Sequence, residues 1–231
     1  MPGDDRTIAM TSLLLAYVYA GLMGPASGQT AQNISNYTST AEKDCRKLKG
    51  GNADDDGGMR VCPGPAGLVV LVSEGDLRET VSVGRNAKGA SSEPAAKAWF
   101  GPFSSTTPTI EWRRTARDKP PFAMIQRWHI ADIEDEGKDG RPIAKQLLVV
   151  TRLQPGSAYS AEVGTGSANR IRANSENAVC HVAYIDVKAN ANPNDLAREA
   201  ADTIARDFKC GTDKVKVMGA SGRAVEVALP R

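Results

Sequence analysis

The run Gly67-Leu68-Val69-Val70-Leu71-Val72-Ser73, followed by Glu74-Gly75-Asp76 and then Leu77-Arg78-Glu79-Thr80-Val81-Ser82-Val83, decides how this chain is read. Residues 67–73 are continuously apolar and of strand length, as expected of a strand buried on both faces. Glu74-Gly75-Asp76 supplies turn residues. Residues 77–83 alternate: Leu77, Glu79, Val81 and Val83 face one way, Arg78, Thr80 and Ser82 the other. Glu79 interrupts the apolar face and places that end near a sheet edge. Strand, short turn and strand make an antiparallel hairpin.

The same pattern recurs outward. Residues 122–131 alternate, with Phe122, Met124, Trp128 and Ile130 on one face and Gln126 among them. Residues 145–153 (K-Q-L-L-V-V-T-R-L) pair with them as a long hairpin, whose acidic tip at 132–142 carries the turn dipeptide Asp139-Gly140. Further strands are expected at 59–62, 109–115 and 179–187, and two short ones at 215–218 and 224–229. Residues 84–98 read as a polar connection and 154–177 as a Gly-, Ser- and Asn-rich surface loop. One helix opens at Asn192-Pro193, a capping residue followed by the residue that suits the first helical position. Leu196, Ala200, Ile204 and Phe208 form its buried stripe, and Gly211 is placed to end it.

The expected fold is therefore α+β: a mostly antiparallel sheet of about eight strands with one amphipathic helix from the C-terminal half packed on it. A β-sandwich with a peripheral helix is the alternative. No internal repeat or linker interrupts 44–230, which reads as one globular domain.

Composition narrows the function classes. Among 231 residues, 29 are Lys or Arg and 27 are Asp or Glu, a net charge of +2. No basic excess is available for a nucleic-acid backbone or a polybasic membrane contact. An apolar fraction of 41% with 24% charged residues also excludes collagen-like and coiled-coil chains.

Residues 13–23 (L-L-L-A-Y-V-Y-A-G-L-M) form an apolar run too short for the ~20 residues of a membrane span. Ala26 and Gly28 supply small residues at the exit, so 1–28 reads as a signal peptide cleaved after Gly28. No later run approaches spanning length. Residues 29–43 read as a flexible polar tail, with formal glycosylation sequons at Asn33 and Asn36. All four cysteines follow the leader, and export makes them disulfide candidates. Of three connectivities, Cys45–Cys62 with Cys180–Cys210 is favoured because each pair flanks one local unit. Zinc is disfavoured: no C-x-x-C occurs and His129 and His181 are the only histidines.

Candidate chemistry is sparse. Asn52, Asp54 and Asp56, with Gly57 behind them, imitate the opening of a calcium loop, but Pro63 stands where the closing bidentate carboxylate belongs. His129 shares a strand face with Ala123, Ile125 and Arg127; His181 shares one with Val179, Ala183 and Ile185. Neither is accompanied by a nucleophile motif, since G-x-S-x-G, H-E-x-x-H, the P-loop and G-x-G-x-x-G are all missing. No residue pattern requires a cofactor. Trp99-Phe100-Gly101-Pro102-Phe103 gathers three aromatics around a Gly-Pro bend in a chain only 5% aromatic, as a partner-binding anchor would. Arg113 and Arg114, with Arg117, are placed to frame an anion-binding rim near it.

The run Val61-Cys62-Pro63-Gly64, Gly67-Leu68-Val69-Val70, Glu74-Gly75-Asp76-Leu77-Arg78 and Val81-Ser82-Val83-Gly84 resembles a group of small exported alphaproteobacterial proteins of unknown function. That resemblance extends to a late helix ending near a cysteine, as at Phe208-Lys209-Cys210. It covers most of 44–210 and implies a signal peptide but no activity.

The expectation is an exported, non-enzymatic module, periplasmic or secreted, that binds a protein or envelope partner. The alternatives are a hydrolase using His129 or His181 with a carboxylate, and a calcium-stabilised structural protein.

Overall fold

A computed structural model describes residues 32–48, 58–153 and 178–229. The decisive hairpin is β4 (Val69–Gly75) and β5 (Arg78–Gly84), joined through Asp76 and Leu77. Both turn residues have positive φ, 50° and 57°. That is the primed turn whose twist matches paired strands. A leucine in the left-handed region is strained by its Cβ, so the turn holds Leu77 outward against a steric cost.

The other strands are β1 (Ile34–Ser39), β2 (Arg46–Lys47), β3 (Met59–Pro63), β6 (Ser104–Arg114), β7 (Ala123–Glu136), β8 (Pro142–Arg152), β9 (Cys180–Asp186) and β10 (Lys216–Val217). They form one sheet in the order β10-β9-β8-β7-β6-β5-β4-β3-β2, with β1 on β6 beside that path. The sheet has ten strands rather than about eight. It is mixed, because β5 meets β6 and β9 meets β10 in parallel. Among the described residues, the short helices α1 (Ala87–Ser92), α2 (Pro193–Thr203) and α3 (Arg223–Ala228) complete an α+β fold.

The sheet forks at β6. Its Ser104 end pairs with Arg78 of β5, and its far end, Thr109 to Arg114, pairs with β1. Glu79 fills the gap. One carboxylate oxygen accepts hydrogen bonds from the Thr106 amide and hydroxyl at 2.6 and 2.8 Å, and the other accepts from Arg60 Nη2 at 2.9 Å. The residue that breaks the apolar face thus holds two diverging strands together.

The sheet is rolled. The turn at residues 94–97 packs on both β5 and β9, which lie four strands apart in the sheet order. A flat sheet would separate those strands by roughly 19 Å. The Ala95 amide donates to Val179 O at 3.0 Å, and the Val179 amide donates to Glu93 at 2.8 Å. Inside the roll lie Val70, Val72, Val81, Val83, Trp112, Met124, Trp128, Leu147 and Val149, closed at one end by Ala224 and Val225 of α3. The opposite face of β7–β9 carries Ala123, Ile125, Leu148, Val150, Ala183 and Ile185, covered by Ala197, Ala200 and Ala201 of α2. Two ion pairs fasten α2 to β6: Arg198 Nε donates to Glu111 at 2.7 Å, and Arg113 Nη2 to Asp202 at 2.5 Å.

Several expectations are corrected. Residues 34–39, expected in a flexible tail, form β1, because their backbone completes the β6 edge left free by β5. Residues 224–229, expected as a strand, lie mostly in α3, whose Ala224 amide donates to the buried Asp186 carboxylate at 2.8 Å. The connection at 84–98 contains α1, whose Asn86 side chain accepts from the Gly89 amide. Helix α2 ends at Thr203, short of Phe208, and Gly211 instead takes its positive φ, 79°, in a later turn.

The Cys45–Cys62 pair joins the segment before β2 to β3, and Cys180–Cys210 joins β9 to the segment after α2. Gly84 is fixed by close approach: a Cβ there would meet the Ala90 amide nitrogen at 2.5 Å. Gly84→Ala should therefore lower unfolding stability by about 2 kcal/mol, the cost of forcing α1 off β5. Chemical denaturation measures it, and a neutral result would contradict the packing.

Candidate functional site

Helix α2 is only eleven residues long and covers only part of the outer sheet face. Beyond it, no element of the described residues covers the same face. The register places Ser105, His129 and Gln146 on one rung across β6, β7 and β8, with Arg127 beside Leu148 on the next and Ala131 beside Ala144 beyond. All of these except Leu148 are exposed or half-buried.

Two cavities open on this face. One, of about 280 Å³, lies against the β4–β5 turn and is lined by Glu74, Leu77, Phe103, His129, Ala131 and Ala144. The other, of about 430 Å³, lies against the start of α2 and is lined by Tyr37, Thr107, Glu111, Arg127, Asn194 and Arg198. Their charged groups differ in kind. Glu79 is consumed by Arg60 and Thr106, and Glu111 by Arg198 and Ser35. Arg127 makes one side-chain hydrogen bond, from Nη1 to Gln146 Oε1 at 2.7 Å, and has no carboxylate partner among the described residues. Glu74 and His129 likewise have no side-chain partner among them. Among the described residues the face therefore carries a cation without a carboxylate partner, Arg127, at one end and an unpaired carboxylate, Glu74, at the other.

A third cavity, about 600 Å³, is lined in part by Lys145, Asp186, Lys188 and Arg223. Lys145, Asp186 and Arg223 are already committed, while the Lys188 side chain is exposed. Asp186 accepts from the Lys188, Ala189 and Ala224 amides. Arg223 clasps Asp132 with bonds of 2.7 and 2.6 Å and holds that carboxyl below the usual range. This network fixes α3 and the β7–β8 arm to the sheet.

The sequence candidates separate. Trp99 is 68% exposed and Phe103 43% exposed, with the Arg78 guanidinium 5.1 Å over the Phe103 ring. Phe100 does not share that surface: it is 3% exposed and turned inward onto Trp128 and Tyr184. The aromatic run thus has one inward anchor between two outward rings. Arg113 frames no anion rim, because its buried guanidinium is committed to Asp202 and Ser35. Arg114 donates to Arg117 O at 2.8 Å, within its own turn.

His181 is not on the face with Ala183 and Ile185. A bulge between Val150 and Thr151 in the β8–β9 pairing shifts it to the inner face, beside Tyr184. There it is sealed among Phe100, Trp128 and Tyr184, and burial pushes its pKa from 6.5 down to about 4. No substrate reaches it in this arrangement.

Asn52, Asp54 and Asp56 lie outside the described residues, as do the expected leader and residues 154–177. Among the described residues, no group of three or more His, Cys, Asp or Glu is placed to hold a metal. Comparison with protein-family models, curated proteins and solved structures finds no match.

The uncovered face was partly visible in the alternation of 122–131, which sets Arg127 and His129 side by side. Tyr37 carried no such signal, since its strand is polar and pairs across a sequence separation of more than seventy residues.

Proposed function

We propose that the chain is an exported, non-enzymatic binding module of the periplasm or cell exterior, which engages a protein or another envelope component through the uncovered face and its apolar lip. The observation that carries this reading is the exposure of Leu77, Trp99 and Phe103, at 61%, 68% and 43%. The exposed Trp99 beside a buried Phe100 anchor fits the aromatic enrichment of interface hot spots, with Leu77 and Phe103 extending the apolar lip around it. Two disulfides support an oxidising compartment. Among the described residues no helix is long and apolar enough to cross a membrane.

Affinity capture from the cell envelope tests the reading. Trp99→Ala with Phe103→Ala should release the captured partner while leaving the melting temperature within about 2 °C, since neither ring is buried. Retention of every partner by the double variant would remove this surface from the proposal.

Hydrolysis centred on His129 is the second reading, favoured by its place in one cavity with Glu74 and Ser105. It requires His129→Ala to abolish turnover of an ester or amide panel.

A further inference from the structure

We propose that the uncovered face binds a free amphipathic carboxylate, its anionic end on Arg127 and its apolar body against Leu77 and Phe103. The inference deepens the binding-module reading and rests on it.

The anionic end follows from charge. An arginine presents five donors in a planar fork that matches a carboxylate. Arg127 uses one of them, on Gln146, and no carboxylate of the described residues neutralises it. It lines the 430 Å³ cavity together with Tyr37, whose hydroxyl adds a neutral polar group; the Thr107 hydroxyl there already donates to Arg127 O at 3.4 Å. The acid of that cavity, Glu111, is already paired with Arg198 at 2.7 Å and so does not compete.

The apolar end follows from position. Alternate residues along a strand are about 7 Å apart, so Ala131 lies roughly 14 Å from Arg127 on the same face. At that end the smaller cavity offers Leu77, Phe103, Ala131 and Ala144. Glu74, also there and without a side-chain partner, opposes a second anion and sets the direction of binding. The ligand is then a chain of medium length with one carboxylate. Leu77 is at the lip because the turn forces it there with φ 57°. The positive φ closes the hairpin, and with it the Leu77 side chain stands at the lip, 61% exposed.

Decanoate is the probe, with 1-decanol as its uncharged counterpart, in titration calorimetry and amide chemical-shift mapping on the disulfide-intact protein. Decanoate should bind and shift the amides of residues 127–131 and 77. Arg127→Gln should weaken decanoate at least about tenfold, the worth of a hydrogen bond to a charged group, and leave decanol within about twofold. Leu77→Gly should weaken both ligands while raising or preserving the unfolding midpoint, because glycine relieves the turn. That variant separates lost contact from lost folding. No binding of decanoate by the parent protein, equal binding by Arg127→Gln, or no effect of Leu77→Gly would each overturn the inference. Partner capture that still depends on Trp99 and Phe103 would then leave the broader reading standing.

Discussion

Replacing Cys180 and Cys210 together by serine should lower the unfolding free energy by about 3.6 kcal/mol, against about 3.1 kcal/mol for the Cys45 and Cys62 pair. The difference comes from loop size: the bridges close separations of 30 and 17 residues, and loop-closure entropy grows with the logarithm of that length. The larger loop contains the whole of α2 and its ion pairs to Glu111 and Arg113. Without the bridge, the helix is held to the sheet by three small alanines, Leu196 and those ion pairs, and the turn after it by Ala205, Phe208 and the Arg152 hydrogen bond to Ala205 O. Alanines bury little area each, so covalent closure is a large share of what keeps this layer in place. Urea unfolding of the two double-serine variants measures both losses. A loss below about 1 kcal/mol for the Cys180 and Cys210 pair would mean that packing alone holds α2.

What the sequence discloses and what it hides follow from the range of the interactions. The β4–β5 and β7–β8 hairpins are legible because turn and alternation lie within one short window. The local cysteine pairing is legible for the same reason. β1 is not, since its strand is polar and its stabilisation comes from a partner edge on β6 far along the chain. Nor is the fate of Glu79, which reads as an edge residue until Thr106 and Arg60 are brought to it. The β9 bulge is the sharpest case. Period-two alternation assumes one residue per rung, so a single unpaired residue moves His181 from the outer face to the inner one. Phe100 shows the same limit at smaller scale: three aromatics on a bend announce a cluster, but which ring turns inward depends on the roll of the sheet. Arg127 is the converse. Its strand and its face are legible, and only its lack of a partner needs the structure.

Acid should destabilise this fold through His181 at a pH where ordinary carboxylates are still ionised. The imidazole is buried, stacked near Phe100 with ring centroids 6.2 Å apart, with Nδ1 3.0 Å from the Tyr184 hydroxyl. Tyr184 is itself pushed up to about 12 by burial and stays a neutral phenol. No carboxylate reaches the ring among the described residues, so an imidazolium there has no counter-charge and desolvation alone lowers the pKa from 6.5 to about 4. The unfolded chain therefore binds a proton that the folded chain refuses between those two values. Stability contributed by the neutral ring is complete above 6.5 and is lost as pH falls toward 4. Between pH 7.5 and 4.5 the loss should be about 2.5 kcal/mol. Glu93, packed near Val179, acts in the opposite sense, since burial raises its carboxyl above the usual range. Asp132, held low by Arg223, responds only beneath this window. A Glu93→Gln background, which keeps an oxygen for the Val179 amide, therefore isolates His181. In that background urea midpoints should fall from pH 7.5 to 4.5, and His181→Phe should flatten the fall while keeping the ring contacts with Trp128. An unchanged pH profile in His181→Phe would place the acid sensitivity on other groups.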